Sequence, residues 1–283
     1  MEFEDLERLY GLTKWYSNPR TREGRRRLEG TITIMKELLK HEWVQAILTP
    51  RKEIRVVDVC SGGGIGGFAF AKVLVDQGYS VSLDLVDLRH SELEEAKKFR
   101  EEFLPSIELN TYAINALELH KIGKKYDVAL FWGLSAPHFD PWDFTRLLSS
   151  ISRSLVDDGV LFMEEGDRIQ SIVLRTGYQY VWPEGFGEDD AIVSIHRGYD
   201  IVRGRVRRII IDLEKGTKVA YPVYLWWTIA SLATYAWVFF KDIDIYTPPI
   251  SSRYSRYIII ARKPRRVIIP EDFDGNPTIL VKK

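Results

Sequence analysis

The chain has 283 residues, 45% of them hydrophobic, and its 40 Lys plus Arg balance 40 Asp plus Glu. That length supports one large core, or one domain with a substantial elaboration, and a net charge of zero gives no electrostatic ground for a nucleic-acid partner. A single cysteine, Cys60, excludes an internal disulfide framework, and the charged N-terminus carries no apolar leader, so a cytoplasmic protein is expected.

Residues 1–50 read as helical. Leu6, Leu9 and Tyr10, then Ile32, Met35, Leu38 and Leu39, recur at helical spacing, with a break at Asn18-Pro19. Five arginines, Arg20, Arg22, Arg25, Arg26 and Arg27, crowd this region; they read as a solvated helix face, with contact to an anionic ligand as the alternative. A core over 51–166 then alternates strand and helix. Strands are expected at 54–60, 81–87, 107–114, 126–132 and 160–165. The helices between them include 91–104, with Ser91 as cap and Glu94 completing a capping box, and 143–156, ended by Asp157-Asp158-Gly159. Strands without a polar face, alternating with helices, predict a doubly wound, mostly parallel sheet with helices on both faces.

After Gly166 the pattern loosens. Residues 167–236 read as an inserted cap segment: an aromatic, glycine-rich stretch over 176–200, one extra strand over 206–213, and an apolar run from Tyr224 to Phe240. That run is long enough for a membrane helix to be considered. Asp242, Asp244 and an alternating strand follow at once, however, so a buried helix giving way to a strand near Trp237 is expected, with no membrane partner. Strands over 239–247 and 256–263, within a closing segment 237–265, bring the sheet to seven. Residues 266–283 read as a surface tail.

The densest signal is Ser61 to Gly67, with five glycines in the six residues Gly62 to Gly67, directly after a strand and before a helix. Glycines there let the backbone turn tightly and approach a ligand, and the next helix offers free amides to an anion. Gly62, Gly64 and Gly67 satisfy G-x-G-x-x-G. Asp87 follows at the end of the second strand, where a carboxylate can accept from a ribose diol. Both features suit a dinucleotide and a sulfonium nucleoside equally.

The stretch VVDVCSGGGIGG, 56–67, resembles the first motif of the class I S-adenosylmethionine methyltransferases, with Asp58 at that family's acidic position. LDLVDL, 83–88, resembles the second motif and INAL, 114–117, the third. YDVALFWG, 126–133, is similar to the fourth strand, and SRSLVDDGVLFMEE, 152–165, to the helix, turn and fifth strand. The resemblance covers about residues 54–165, with an echo in 237–263. It implies S-adenosyl-L-methionine as cofactor. Asp58 would then approach its methionine end, Asp87 hold the ribose, Leu88 lie beside the adenine and Asn115 touch the adenine amino group, with Ser61, Gly62, Gly64, Ala116 and Phe131 as further cofactor-binding residues. Cys60 and Ser61 depart from the family's usual glycine and small residue. GLSAPH after the fourth strand departs from the signature of amino methylation on bases, which lowers nucleic acid as a substrate.

Methyl transfer needs an aligned nucleophile, exclusion of water and, for some acceptors, a base. No metal is expected: the five histidines are scattered. His138, a few residues past the fourth strand, is the candidate base. Glu164 and Glu165 end the fifth strand, where alternation would aim one of them at the cleft. Tyr16, Trp132, Trp182, Phe186 and His196 are candidates for the substrate side. A small-molecule acceptor, methylated on oxygen or nitrogen by a monomer or homodimer, is the expected function. The alternatives are an NAD-dependent oxidoreductase, a nucleic-acid or protein methyltransferase, and a non-catalytic binding protein.

Overall fold

Each central strand is apolar on both faces because both faces are covered. In the computed structural model, which describes residues 3–13, 15–187, 190–248 and 256–281, side chains of 3–5 and 185–190 excepted, these strands form one seven-stranded sheet. They are β1 (Glu53–Val59), β2 (Ser80–Val86), β3 (Glu108–Tyr112), β4 (Tyr126–Phe131) and β5 (Leu155–Gly166), joined late in the chain by β10 (Phe240–Tyr246) and β11 (Arg256–Pro264). The order is β10-β11-β5-β4-β1-β2-β3. Pairing from β3 through β5 is parallel, and β11 runs antiparallel to both β5 and β10.

The period of two along each strand sorts side chains between two cores. Val56, Leu83, Leu130 and Phe162 face α2 (Arg22–Leu38), α3 (Glu42–Leu48), α4 (Ile65–Asp76) and α5 (His90–Phe103). Val57, Phe131, Leu161 and Met163 face α6 (Pro141–Ser154) and α7 (Ile229–Phe239). The first helix, α1 (Phe3–Thr13), touches neither sheet face. Its Leu9 packs with Ile192, Ile210 and Val219 of a second, antiparallel sheet. That sheet has the order β6-β7-β8-β9: β6 (Val181–Gly187), β7 (Asp190–Asp200), β8 (Arg205–Asp212) and β9 (Lys218–Val223).

Several local expectations are corrected. The loosely patterned 176–200 is mostly β-sheet, because β-branched residues of β7 and β8 bury one face against α1. Ser91 does not cap α5: the cap position is Arg89, and the Ser91 hydroxyl donates to Glu7 Oε1 at 2.6 Å. Helix α6 ends at Ser154 rather than at the Asp157-Asp158-Gly159 turn, and β5 already begins at Leu155. The apolar run is not one helix from Tyr224. Thr228 caps α7 through reciprocal bonds with Ser231, and the strand begins at Phe240. No helix among the described residues is long and apolar enough to cross a membrane. The tail is partly docked, with Ile268 and Phe273 packing on the α6 face and Arg266 Nη1 donating to the Ser152 carbonyl.

The second sheet is fastened over the carboxyl ends of the parallel strands. The Tyr224 amide donates to the Pro137 carbonyl, and Trp227 Nε1 to those of Ala136 and Phe139. Arg203 and Arg205 both reach Asp140, the buried cap of α6, at 2.7 Å.

Candidate functional site

The turns that follow β1, β2, β3 and β4 converge on one cleft, the expected place for a ligand in an open parallel sheet. Its larger lobe has a cavity volume of about 120 Å³. Asp87, Leu88 and Arg89 line it from β2, Ile114 to Leu117 from β3, Ser135, His138 and Phe139 from β4, with Leu6 and Tyr10 of α1 and Arg205 of β8 above. A smaller lobe is lined by Ser61, Gly62, Gly66, Trp15, Ser17, Arg27, Trp132 and Gly133. Tyr10, Cys60, Arg89 and Ser135 belong to both lobes and form the partition between them.

The glycine loop is held by two acids. The Gly62 amide donates to Asp87 Oδ2 at 2.7 Å, and the Gly67 amide, in the first turn of α4, donates to Asp58 Oδ2 at 2.7 Å. Gly62 and Gly64 have φ of +53° and +81°, which favours glycine, and a Cβ on Gly64 would strike Leu85 and Phe68 at 2.9 Å. Cys60 and Leu134, in the turns after β1 and β4, take φ of 59° and 65° without being glycine, a strain that concentrates at ligand sites.

Asp58 is fully buried, and its Oδ1 has no partner. Burial pushes its carboxyl up to about 7, against the lowering effect of the Gly67 amide. Asp87 is engaged on both oxygens, because its Oδ1 accepts from the Arg89 amide at 2.9 Å and from Arg89 Nε at 3.2 Å. The Arg89 guanidinium lies 4.0 Å from the centre of the Tyr10 ring. Tyr10 Oη in turn shares a 2.7 Å hydrogen bond with His138 Nε2, and His138 Nδ1 is buried without a partner. Burial, reinforced by Arg89 and Arg168, lowers the imidazole to about 4 and keeps it neutral. Burial pushes the Tyr10 phenol up to about 12.

The structure brings together Ser61, Gly62, Asp87, Leu88, Asn115, Ala116, Trp132 and His138 on the cleft walls. Asp58 stands behind the loop, and Gly64, within the loop, lines neither lobe. The Asn115 side chain also accepts from the Leu117 amide at 3.0 Å, capping a short 3₁₀ turn. Phe131, expected among the cofactor-binding residues, lines neither lobe; it is 1% exposed and packs behind the cleft against Phe139 and Phe144. Neither Glu164 nor Glu165 faces the cleft. Both are buried, and they accept from the Gly133 and Ala136 amides at 3.1 and 2.6 Å, so they brace the turn that carries Ser135 and His138. On the substrate side, Tyr16 is 56% exposed. Trp182 lies on β6 away from both lobes, and His196 is tied to Tyr178 Oη at 2.5 Å and packs beside Tyr180. The Phe186 side chain lies outside the described residues.

Sequence reasoning missed Tyr10, Arg89, Phe139 and Arg205, and it singled out Arg27 only within a cluster whose contact with an anionic ligand was the alternative reading. Arg89 had a signal in its place two residues after Asp87. Tyr10 and Arg205 had none, because each reaches the cleft through packing between α1, β8 and α6.

Seven strands in this order, with the penultimate one in space reversed, are the sheet of the class I S-adenosylmethionine-dependent methyltransferases. No family model matches the chain, and no curated protein sequence does. Solved structures do resemble it. The PH0226 protein from Pyrococcus horikoshii OT3 is 18% identical, with 88% of this chain and 95% of that one covered at a TM-score of 0.58. An S-adenosylmethionine-dependent methyltransferase from Clostridium acetobutylicum is 13% identical, with 81% and 96% covered at 0.52. The CcbJ methyltransferase from Streptomyces caelestis is 13% identical, with 78% and 86% covered at 0.55. At such identities the likeness establishes the fold.

Proposed function

We propose that the chain is an S-adenosylmethionine-dependent methyltransferase that methylates an oxygen or nitrogen of a small-molecule acceptor. The observation that carries this reading is Asp58 on the Gly67 amide. In a dinucleotide site, the first turn of this helix is free to take a pyrophosphate. Here a buried carboxylate already occupies one of those amides, and a second anion beside it would be repelled. The unpartnered Asp58 Oδ1 suits a cation instead, as the amino group of a methionyl chain is. The residues present therefore fit S-adenosylmethionine better than NAD.

In this reading Asp58, Ser61 and Gly62 hold the methionyl end, Asp87 the ribose hydroxyls, and Leu88, Ala116 and Leu117 flank the base, with Asn115 at its edge. When bound, the cofactor supplies an electrophilic methyl group on sulfur. The chain's own work is to orient the acceptor and exclude water. Tyr10 and Trp132, the latter 4% exposed, provide apolar cover. His138, neutral and with Nδ1 unpartnered, is placed to take the acceptor's proton at that nitrogen in the tautomer that leaves it bare. Glu164 and Glu165 act through the turn they brace. The balanced charge supports a small acceptor over nucleic acid.

Equilibrium dialysis with methyl-labelled S-adenosylmethionine tests the proposal. Saturable binding that S-adenosylhomocysteine displaces is expected. Absence of saturable binding by folded protein would refute it.

A further inference from the structure

Helix α1 touches neither face of the main sheet, yet it carries Tyr10 into the cleft. It is held there at three points. Leu9 packs on the second sheet, Arg8 Nη2 donates to the Lys218 carbonyl at 3.3 Å, and Glu7 accepts from the Ser91 hydroxyl. The Tyr10 ring lies against the Arg89 guanidinium and 5.9 Å from the His138 ring, with Oη 2.7 Å from Nε2. Nε2 is thus the nitrogen that meets α1. Nδ1, buried with no partner, is the nitrogen left for an acceptor.

Both groups are neutral at pH 7. Burial pushes the phenol up to about 12 and the imidazole down to about 4, the latter reinforced by Arg89, Arg168 and Arg205 against Asp87. Two protons are therefore distributed over one oxygen and two nitrogens, and the hydrogen bond at one ring nitrogen decides what the other carries. If the phenol donates to Nε2, the ring proton sits on Nδ1, and Nδ1–H is the one group left unpaired. If Nε2–H donates to the phenol oxygen, Nδ1 and the phenol O–H are both left unpaired, because Nε2 is the sole partner of Tyr10 Oη among the described residues. Leaving a second buried polar group unpaired is the costlier choice, so the first arrangement is the resting one.

We infer that Tyr10 is the positioning residue of His138, and that the direction of its hydrogen bond sets whether Nδ1 donates or accepts. This rests on the reading of His138 as the base and deepens it. In the empty cleft the phenol donates, Nδ1 carries the proton, and His138 is held out of use. An acceptor whose O–H or N–H points at Nδ1 reverses the pair. As it enters, the ring loses a proton from Nδ1 to water and gains one at Nε2 from water, and the phenol oxygen turns to accept from Nε2–H. The acceptor's proton then passes to Nδ1, giving an imidazolium whose Nε2–H stays on the phenol oxygen in a charge-assisted bond. Tyr10 keeps its own proton throughout. A hydroxyl performs both roles because it donates and accepts; an ionised carboxylate in its place would only accept.

The test is the nitrogen-15 spectrum of histidine-labelled protein at pH 7 without any ligand, with the His138 signals identified by their loss in His138→Gln. In the parent, Nδ1 should show the shift of a protonated nitrogen and Nε2 that of a bare, hydrogen-bonded one. Tyr10→Phe keeps the ring and its contact with Arg89 and removes only the hydroxyl. The proton should then move to Nε2, the nitrogen that a free histidine side chain favours, while the signals of the other four histidines stay in place and show the fold intact. A tyrosine that merely packs would leave the His138 tautomer unchanged in Tyr10→Phe, and that result would overturn the inference. A parent that carries its resting proton on Nε2 would overturn it as well. Because the protein is unliganded, these outcomes are separate from the cofactor reading, which fails on its own if folded protein binds no S-adenosylmethionine.

Discussion

Arg89 offers the sharpest perturbation, because it makes two predictions of opposite sign. Its guanidinium is the present partner of Asp87, the acid proposed for the ribose, and it lies on Tyr10 in the partition between the two lobes. A ligand that spans both lobes and bonds to Asp87 must therefore displace it. Asp87 is 7% exposed and Arg89 5%. Replacing Arg89 by Met leaves a buried carboxylate without its counter-ion, a loss of about 3–5 kcal/mol. For a chain of this size each kcal/mol corresponds to roughly 2–4 °C in Tm, so a fall of roughly 6 °C or more is expected by scanning fluorimetry. The same change frees one Asp87 oxygen from a charged competitor, and a hydrogen bond to a charged group is worth about 1.5–3 kcal/mol. S-adenosylhomocysteine should then bind about 10- to 100-fold more tightly to Arg89→Met by calorimetry. Asp87→Ala should do the reverse, weakening binding by about 1.5–3 kcal/mol. If Arg89→Met loses affinity together with stability, Arg89 is a ligand contact rather than a competitor, and the reasoning is wrong.

Gly66→Ala should destabilise by about 1–3 kcal/mol, since its methyl would overlap Trp132 at 2.7 Å; denaturant midpoints equal to the parent's would show that the Trp132 wall yields. Asp58 carries a pH signature. Its folded value, about 7, lies above the ordinary 3.8 because burial disfavours the charge, so its contribution to stability is present below about pH 4 and is lost as pH rises through 7. Glu165, also raised to about 7 by burial, adds in the same direction, whereas His138, lowered to about 4, opposes both by losing stability as pH falls from 6.5. Asp58→Asn should therefore gain on the parent by on the order of 1 kcal/mol per pH unit between 4 and 7, and urea midpoints that run parallel for the two proteins would refute this. With Asp87, Arg27 and the Gly67 amide around it, Asp58 must ionise to receive an ammonium, so S-adenosylhomocysteine affinity should rise with pH through 7 in the parent and not in Asp58→Asn. His138→Ala should lower the single-turnover rate of methyl transfer by about 10²- to 10⁴-fold with little change in cofactor affinity, the range for a general base; an unaltered rate would remove His138 from the chemistry.

The sheet was legible because its strands obey local rules: apolar runs after turn residues, each followed by an amphipathic helix. Asp58, the glycine loop and Asp87 were legible because they sit at fixed offsets from strand ends, where chain order alone places them at one edge. What could not be read depends on packing between distant segments. Three strands of the second sheet were missed because their aromatic and glycine residues mask a weak alternation, and their apolar face is completed by Leu9 from the other end of the chain. Glu164 and Glu165 illustrate a different limit. Alternation correctly assigns adjacent residues of a strand to opposite faces, but here both faces bury the carboxylate against the amides of the turn after β4. Tyr10 and Arg27 match no motif, since each turns toward the cleft for reasons that only the assembled fold supplies.

Calorimetric titration of one protein sample with S-adenosylhomocysteine and with NAD decides which nucleotide the cleft accepts. Asp58 occupies the α4 amide that a pyrophosphate would need, and its unpartnered Oδ1 suits a cation. S-adenosylhomocysteine should therefore bind saturably at one site per chain and NAD should give no heat above dilution. Saturable NAD binding with none for S-adenosylhomocysteine would contradict the account.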